Sequence, residues 1–429
     1  MVTGKIFFKF FIALLLLQSC KSVHPIIQPA HKNSITNWVD TNKILSNAFV
    51  GIYAEDRSTG CILMDYNNSK NFIPASTNKI LTWIAAQKYL PDTLPGLYYH
   101  EMADTLFIMG GGNPTFLYRN DSIIYKFLKN HPAKLIVYSE QNFTDKNLGK
   151  GWAWDDLSYC FNAEKSAFPM HENLLTISDS LIVPPFFEKN IKDSMTTQLV
   201  RSWNENQFFI YKKLSKPQKV PFITSPEITV QILAQALNRN IVFRKSLTSM
   251  EWKTFNAYSR DSLLKIMLLE SDNFLAEQFL LMISGKIDST NHELNTEKAI
   301  KYIALNQWKD ANPAPKWVDG SGLSRYNLLT PKFLVHLLKR VASNINSDKK
   351  LFNFLPQAGK TGTLKTISFY PETVYAKTGT LSNNHSLCGF LTSKSGKKIV
   401  FSIMINHYLE KTTTIQQQIG QILYQLYND

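Results

Sequence analysis

Apolar segments at the two ends of this chain predict a single core that both ends build together. Two strand-like runs, 48–54 and 61–66, precede a helical run at 76–90, and three more strand-like runs lie between 373 and 405. A last helix follows them, with apolar residues three and four positions apart on one face. Residues 95–250, between these ends, alternate short β-like runs with turns. The pattern predicts an α+β core that a strand-rich insertion divides.

The same pattern predicts where the domains divide. One domain is formed by residues 35–94 together with 251–429, and residues 95–250 form an inserted β-rich domain. Helical periodicity returns at 259–285, after the insertion. Ser271-Asp272-Asn273 interrupts that periodicity, and we expect a connecting turn there.

Residues 1–19 have the features of a secretory signal peptide. Two lysines precede an apolar run, 10–17, that is too short to span a bilayer. The segment ends in Leu-Gln-Ser-Cys at Cys20, which resembles the box of bacterial lipoproteins, in which the cysteine is lipid-modified after cleavage. Residues 20–34 then form a polar tether. We expect an exported protein that a lipid on Cys20 attaches to a membrane, with an uncleaved N-terminal anchor as the alternative.

Charge and cysteine content exclude several classes of function. The chain carries 47 Lys and Arg against 33 Asp and Glu, but no run of adjacent basic residues exceeds two, so a nucleic-acid-binding tail is not indicated. A diffuse basic surface fits acidic substrates or anionic lipid, and an ordinary solvated surface explains it equally well. The four cysteines form no CxxC and no HExxH occurs, so we predict neither a metal nor an organic cofactor.

The segment Ser76-Thr77-Asn78-Lys79 is an S-x-x-K motif at the start of an apolar helix. Residues three apart share a helix face, so the Lys79 amine can lie beside the Ser76 hydroxyl. A lysine whose pKa is lowered by burial or by a second cation can take the serine proton and create a nucleophile. By itself the motif favours a serine that caps the helix, and S-x-x-K also occurs in turn-like segments at 347–350 and 395–398.

Two further motifs favour the catalytic interpretation. Ser271-Asp272-Asn273 is an S-x-N, and Lys377-Thr378-Gly379-Thr380 is a K-T-G that follows a strand-like run. Gly379 allows a ligand to approach the backbone, Lys377 adds positive charge, and the threonine hydroxyls can bind a carboxylate. The order S-x-x-K, S-x-N, K-T-G is the catalytic set of penicillin-binding proteins and β-lactamases.

A second K-T-G-T, at 360–363, competes for the third position. It follows a loop-like stretch and leads into irregular sequence, whereas Lys377 has apolar runs on both sides. A strand that lines a cleft needs such flanking runs, so we assign the role to Lys377.

Together these motifs resemble those of the serine D-alanyl-D-alanine carboxypeptidase/endopeptidases, low-molecular-mass penicillin-binding proteins with a large insertion between S-x-x-K and S-x-N. The segments that carry the resemblance are 74–79, 110–115, 151–156, 271–273, 319–325 and 376–381. The resemblance implies a β-lactamase/transpeptidase-like fold, in which an antiparallel sheet packs against helices.

The resemblance also implies a role for each motif residue. Ser76 would attack the carbonyl of a D-alanyl peptide bond and become acylated, with Lys79 as the base. Ser271 would relay a proton to the leaving amine, and Asn273 would position Lys79 and the substrate amide. The residues that would bind the substrate carboxylate or line its path are Lys377, Thr378, Gly379 and Thr380. The residues that would contact the diamino-acid side chain of a stem peptide are Asp156, Phe161 and Arg325.

The implied partners are peptidoglycan stem peptides as substrates and β-lactams as inhibitors, with a lipid anchor in the membrane and no nucleic acid. The implied location is the periplasm, and Lys21 after the lipidated cysteine favours the outer membrane. Two alternatives stay open from the sequence. The first is a β-lactamase or esterase with the same catalytic set, and the second is a catalytically silent cell-wall-binding lipoprotein.

Overall fold

A computed structural model describes most of the chain. The described residues are 29–119, 123–178, 181–211, 216–247 and 250–429. The predicted signal peptide and the predicted lipidation site at Cys20 lie outside them. Within the described residues, none of the helices combines the length and the apolar character that crossing a bilayer requires.

The described part of the chain alternates helices and strands from end to end. The helices are α1 (Pro29–Thr41), α2 (Lys79–Tyr89), α3 (Ile123–Asn130), α4 (Pro226–Leu237), α5 (Arg260–Leu269), α6 (Asn273–Ile287), α7 (Thr296–Gln307), α8 (Pro331–Ile345), α9 (Asp348–Phe352) and α10 (Thr412–Asn428). The strands are β1 (Phe49–Asp56), β2 (Ile62–Tyr66), β3 (Thr93–Met102), β4 (Thr105–Gly110), β5 (Leu135–Ser139), β6 (Leu174–Ser178), β7 (Leu181–Val183), β8 (Ile191–Asp193), β9 (Val200–Arg201), β10 (Phe208–Ile210), β11 (Gln218–Pro221), β12 (Ile241–Phe243), β13 (Lys253–Ser259), β14 (Val374–Leu381), β15 (Asn384–Thr392) and β16 (Lys398–Asn406).

The main sheet joins strands from both ends of the chain, in the order β14-β15-β16-β1-β2, and all its pairs are antiparallel. One face packs on α1 and α10, and the other packs on a helical cluster of α2, α5, α6, α7 and α8. Successive residues of a strand point to opposite faces, so Ile403 lies in the first core and Met404 in the second. The predicted α+β class, with an antiparallel sheet against helices, is confirmed.

The strand-rich middle of the chain has its own core. A second five-stranded sheet, β12-β5-β4-β3-β13, contains both parallel and antiparallel pairs, and α3 and α4 pack against it. Two three-stranded sheets, β11-β6-β7 and β8-β10-β9, complete this region. The predicted limits of the inserted domain, 95–250, remain a prediction, and the outer strands β3 and β13 extend from Thr93 to Ser259.

The helical run after the insertion is broken at the S-x-N motif, as predicted. Helix α5 ends at Leu269 and α6 begins at Asn273, where the Asp272 carboxylate accepts the backbone N–H of Leu275 at 2.9 Å. Ser271 lies in the turn with φ of +60°, a left-handed conformation that costs about 1–2 kcal/mol for a residue with a Cβ. This turn places Ser271 against Lys377 at the edge of the main sheet and Asn273 against Lys79 of α2.

Candidate active site

Ser76 lies in a 3-10 turn, Ala75–Asn78, that leads directly into α2. Ala75, directly before the proposed nucleophile, has φ of +47°. Like Ser271, it is a non-glycine residue in the left-handed conformation. Lys79 is the first residue of α2 and is fully buried. Its Nζ is 2.9 Å from Ser76 Oγ, so the predicted S-x-x-K contact is present.

The Lys79 amine has three hydrogen-bond partners. Besides Ser76 Oγ, it contacts Asn273 Oδ1 at 2.6 Å and the carbonyl oxygen of Ser321 at 2.7 Å. Burial lowers the pKa of Lys79 to about 8, although the nearby carboxylates of Asp319, Asp272 and Glu277 act in the opposite direction. A neutral amine keeps two N–H groups and one lone pair, which suits Asn273 and Ser321 as acceptors and Ser76 as a donor.

A second buried amine lies on the far side of the S-x-N turn. Lys377 Nζ donates to Ser271 Oγ at 2.8 Å and to the carbonyl oxygen of Thr378 at 2.7 Å. Burial first, and the charge of Lys79 second, lower the pKa of Lys377 well below its ordinary value. The structure therefore brings the S-x-x-K, S-x-N and K-T-G motifs into one neighbourhood with two buried amines, and the charge of Lys79 disfavours a charge on Lys377.

Gly379 lies where β14, the edge strand of the main sheet, passes close to the 3-10 turn that carries Ser76. A Cβ built on Gly379 would lie 2.5 Å from the carbonyl oxygen of Pro74 and 2.8 Å from the backbone nitrogen of Ser76. Real Cβ atoms do not tolerate such distances to backbone atoms, so this position requires glycine. Thr378 beside it is nearly buried, while Thr380 is exposed at the end of β14.

The second K-T-G-T has a different position. Lys360 is half exposed and pairs with Glu372 at 2.9 Å. Gly362 and Thr363 begin a 3-10 turn, Gly362–Leu364, rather than continuing a strand. The Thr363 hydroxyl lies 2.8 Å from the Thr378 hydroxyl, so the two copies of the motif touch through their threonines while only Lys377 contacts the S-x-N turn.

Sequence reasoning missed the residues that hold the Ser321 carbonyl against Lys79. Glu277, buried on α6, accepts the backbone N–H of Ser321 at 2.7 Å and of Gly320 at 3.1 Å. Burial, with a contribution from Asp319, raises the pKa of Glu277 to about 7. Asp319 accepts the backbone N–H groups of Gly322 and Ser324. The only sequence signal for this contact was the pair of glycines in segment 319–325. In the structure a Cβ on Gly322 would overlap the carbonyl oxygen of Ala75, so this segment packs closely on the turn that carries Ser76.

A cavity of about 330 Å³ opens beside Ser76. Its lining includes Ser76, Asn273, Thr380, Asp156, Phe161 and Arg325. Burial, reinforced by Asp155, raises the pKa of Asp156, while the charge of Arg325 opposes the shift. The Arg325 guanidinium donates to the carbonyl oxygen of Ser382 at 3.3 Å. The residues proposed for the diamino-acid side chain thus share one cavity with the serine.

The side chains of the described residues include no group of three or more His, Cys, Asp or Glu arranged to hold a metal ion. The chemistry that this site can perform with its own groups is nucleophilic: a serine hydroxyl beside a buried amine, next to a strand edge that can pair with an extended ligand. Such a site is typical of serine enzymes that form an acyl intermediate.

Comparison with known proteins agrees with this class. The family model for the D-Ala-D-Ala carboxypeptidase 3 (S13) family of peptidases matches residues 32–181 and 258–426. The match covers well over half of the chain, and the chain belongs to this family. The resemblance stated from the sequence motifs is confirmed.

Individual relatives have low sequence identity to this chain, but the matches extend over most of its length. The chain is 24% identical over 386 residues to the penicillin-sensitive carboxypeptidase A of Dictyostelium discoideum, covering 75% of this chain and 72% of that protein. It is 27% identical over 315 residues to the D-alanyl-D-alanine carboxypeptidase DacB of Haemophilus influenzae, covering 64% of this chain and 65% of that protein. Its structure matches the crystal structure of penicillin binding protein 4 (dacB) from Haemophilus influenzae with a TM-score of 0.71 and 23% identity, covering 90% and 98% of the two chains.

Proposed function

We propose that this protein is a serine D-Ala-D-Ala carboxypeptidase that acts on the stem peptides of peptidoglycan through an acyl-enzyme on Ser76. The observation that carries the proposal is the contact of the buried Lys79 amine with Ser76 Oγ at 2.9 Å and with Asn273 Oδ1 at 2.6 Å. Membership of the S13 family and the names of the relatives from Dictyostelium discoideum and Haemophilus influenzae support the substrate class.

Acylation begins with proton transfer from Ser76 to the neutral Lys79 amine. Ser76 Oγ then attacks the carbonyl of the penultimate D-alanine, and the oxyanion lies against the backbone N–H groups of Ser76 and Thr380. The close approach of β14 to the serine turn at Gly379 supports this placement. Ser271, held by Lys377, gives its hydroxyl proton to the leaving amine and takes the Ser76 proton from the Lys79 ammonium in exchange, so that D-alanine departs and Lys79 is neutral again. Water then hydrolyses the acyl-enzyme.

The terminal carboxylate of the substrate would bind at the K-T-G strand. The buried Lys377 amine lies on this strand, Thr378 and Thr380 offer hydroxyl groups, and Gly379 leaves the backbone accessible. Asp156 and Arg325 line the same cavity and carry opposite charges. They suit the ammonium and the carboxylate of a diamino-acid side chain, with the exposed ring of Phe161 beside them.

Covalent labelling with fluorescent penicillin tests the proposal. We expect one equivalent of label on the wild-type protein and none on Ser76→Ala, because a β-lactam acylates the same hydroxyl. Lys377→Ala should slow acylation at least a hundredfold, and Lys360→Ala, the matched lysine of the second K-T-G-T, should leave the rate within twofold. Labelling that persists in Ser76→Ala would show that the nucleophile lies elsewhere.

The lifetime of the acyl-enzyme and the products from cell wall separate the alternatives. A penicillin-binding protein stays acylated, whereas a β-lactamase or esterase releases the label rapidly, and a silent binding protein takes none. Mass spectrometry of digested muropeptides then reports whether D-alanine or a cross-link is lost, which separates carboxypeptidase from endopeptidase action.

We also propose that the protein is exported and held at a membrane by a lipid on Cys20. The proposal rests on the apolar run and cysteine box of residues 1–20. Metabolic incorporation of an alkyne-tagged palmitate should label the wild-type protein, and Cys20→Ala should lose the label and leave the membrane fraction. Fractionation on a sucrose gradient identifies the membrane, for which the outer membrane is the expected result.

A further inference from the structure

Both threonine hydroxyls of the K-T-G-T strand have a partner. Thr378 Oγ1 lies 2.8 Å from Thr363 Oγ1, and Thr380 Oγ1 lies 2.8 Å from His385 Nδ1. A hydroxyl has one proton, so a threonine that donates to such a partner cannot donate the same proton to a ligand. The direction of these two hydrogen bonds therefore decides whether each threonine hydroxyl is free to donate its proton to a ligand.

His385 is placed to donate to Thr380. It is opposite Thr380 on the neighbouring strand β15 and is fully buried. Its Nε2 has no hydrogen-bond partner among the described residues. A buried N–H without a partner is rarer than a buried lone pair without one, which favours the tautomer with the proton on Nδ1. Burial also lowers the pKa of His385 to about 4, so the ring is neutral at ordinary pH.

With its proton on Nδ1, His385 occupies a lone pair of the Thr380 oxygen. The hydroxyl proton of Thr380 is then free to point into the cavity, which Thr380 lines together with Ser76. The same bond also restricts the χ1 rotation of Thr380, so a ligand does not have to order that side chain on binding.

Thr363 is the corresponding partner of Thr378, and it comes from the second K-T-G-T. The turn that carries it is packed tightly, since a Cβ on Gly362 would lie 2.5 Å from the carbonyl oxygen of Leu269, at the end of α5. Thr363 is half-buried in that turn, and Thr378 is nearly buried. A Thr363 hydroxyl that donates to Thr378 leaves the Thr378 proton for a ligand, and hydrogen bonds in such a chain strengthen one another.

We propose that His385 and Thr363 are positioning residues that hold the hydroxyls of Thr380 and Thr378 as donors toward the terminal carboxylate of the substrate. The second K-T-G-T thus contributes its last threonine to the site, while Lys360 remains outside it. The proposal rests on the proposed function, because it describes how the same site selects a free carboxylate.

The test compares two peptides that end in D-Ala-D-Ala, one with a free C-terminal carboxylate and one with a C-terminal amide. The preference for the acid is the ratio of the two kcat/KM values. His385→Leu and Thr363→Val remove the donors. His385→Asn and Thr363→Ser keep a donor at nearly the same place. Lys360→Ala serves as the control for a neighbouring change on the same loop, and thermal unfolding reports the folding of every variant.

We expect His385→Leu and Thr363→Val each to lower the preference for the acid at least tenfold, through a higher KM for the acid peptide and a kcat within threefold of wild type. The loss of one hydrogen bond to the charged carboxylate is expected to weaken binding of the acid peptide by about this factor. His385→Asn, Thr363→Ser and Lys360→Ala should keep the preference within threefold. If His385→Leu fails to fold, His385→Met, which likewise has no N–H or O–H donor, replaces it.

Three results would overturn the proposal: an unchanged preference in the donor-lacking variants, an equal loss for both peptides, or an equal loss in the donor-keeping variants. The last two would indicate a purely structural role. A wild-type enzyme that neither hydrolyses the acid peptide nor reacts with penicillin would refute the proposed function itself. That outcome is distinguishable, because it appears before any variant is made.

Discussion

The protonation state of Lys79 controls the proposed chemistry at the scale of one residue. Burial lowers its pKa to about 8 from an ordinary 10.5, so most molecules at pH 6 carry an ammonium that cannot accept the Ser76 proton. The rate of acylation by penicillin should therefore rise about tenfold per pH unit below pH 7 and level off above about pH 8.

Stopped-flow measurement of the acylation rate between pH 5.5 and 9.5 checks this expectation, with circular dichroism as the control for folding at each pH. The charged groups that act on Lys79 are Asp319, Asp272 and Glu277, which raise its pKa. Glu277→Gln removes one of them and should move the midpoint to lower pH. A flat profile would contradict Lys79 as the base.

The side chains of the three motifs were accessible from the sequence, whereas the groups that support them were not. Lys79 and Lys377 stand in motifs whose chemistry is readable from residue type and spacing. Ser321 contributes only its carbonyl oxygen to Lys79, and any residue could supply that atom. Glu277, which holds the Ser321 backbone, gave no signal either, because a single acidic residue in an apolar helix has no spacing rule. Such roles depend on tertiary contacts.

At the scale of elements, the site depends on the contact between β14 and the 3-10 turn before α2. Gly379→Ala would place a methyl group 2.5 Å from the Pro74 carbonyl oxygen and force the strand away from Ser76. We expect at least a hundredfold slower acylation by penicillin, because a displacement near 1 Å is enough to lose that factor. The matched control is Gly396→Ala in the β15–β16 turn, where φ is +88° and nothing lies within 4 Å of the new Cβ.

Gly396→Ala should cost about 1 kcal/mol of unfolding free energy from its backbone conformation and leave the acylation rate unchanged. Chemical denaturation and penicillin labelling measure the two effects separately. An acylation rate for Gly379→Ala within threefold of wild type would mean that the strand and the turn are not coupled in the reaction.

Elements with strong periodicity could be predicted from sequence, and their connections could not. The strands at both ends and the break before Asn273 were predicted from apolar spacing and are confirmed. The 3-10 turn at Ala75–Asn78 replaced the first turn of the predicted helix. The reason is tertiary: β14 passes beside this turn, and Gly322 of the 319–325 loop packs on Ala75. The position of Thr363 against Thr378 also followed from folding, since nothing in the repeated motif indicates that its two copies meet.

At the scale of the whole molecule, the inserted region and the helical cluster are joined by polar side-chain contacts, one exposed at the site and others nearly buried farther away. Asn273 Nδ2 donates to the carbonyl oxygen of Phe161 at 3.0 Å, which links the S-x-N motif to the segment that lines the cavity. Farther from the site, Lys165 pairs with Asp145 at 2.8 Å, and the same carboxylate accepts the backbone N–H and the hydroxyl of Thr296, at the start of α7. The change in sequence texture predicts an insertion at residues 95–250, but single polar residues in it gave no indication of these contacts.

The Lys165–Asp145 pair predicts how strongly the two regions are coupled. Both side chains are nearly buried, with 2% and 11% exposed, so Lys165→Met leaves an unpaired buried carboxylate. We expect a loss of about 3–5 kcal/mol of unfolding free energy at pH 7, measured by urea denaturation. Lys165→Met/Asp145→Asn, which removes both charges and keeps an acceptor for Thr296, should recover at least half of that loss.

The pH dependence of the same variants gives the sign of the effect. Burial alone would raise the pKa of Asp145, but Lys165 and the hydrogen bonds from Thr296 lower it below 3.8. In the wild-type protein the pair therefore stabilises the fold at pH values above the pKa of the unfolded chain. This contribution is lost as the pH falls through the pKa of Asp145 in the folded protein. In Lys165→Met burial acts without the opposing lysine charge, so we expect a higher folded pKa for Asp145 than in the wild-type protein and a destabilisation that shrinks as the pH falls and the carboxylate becomes neutral. A loss that is equal at pH 4 and pH 7 would show that the lysine acts through packing of its methylene groups rather than through its charge.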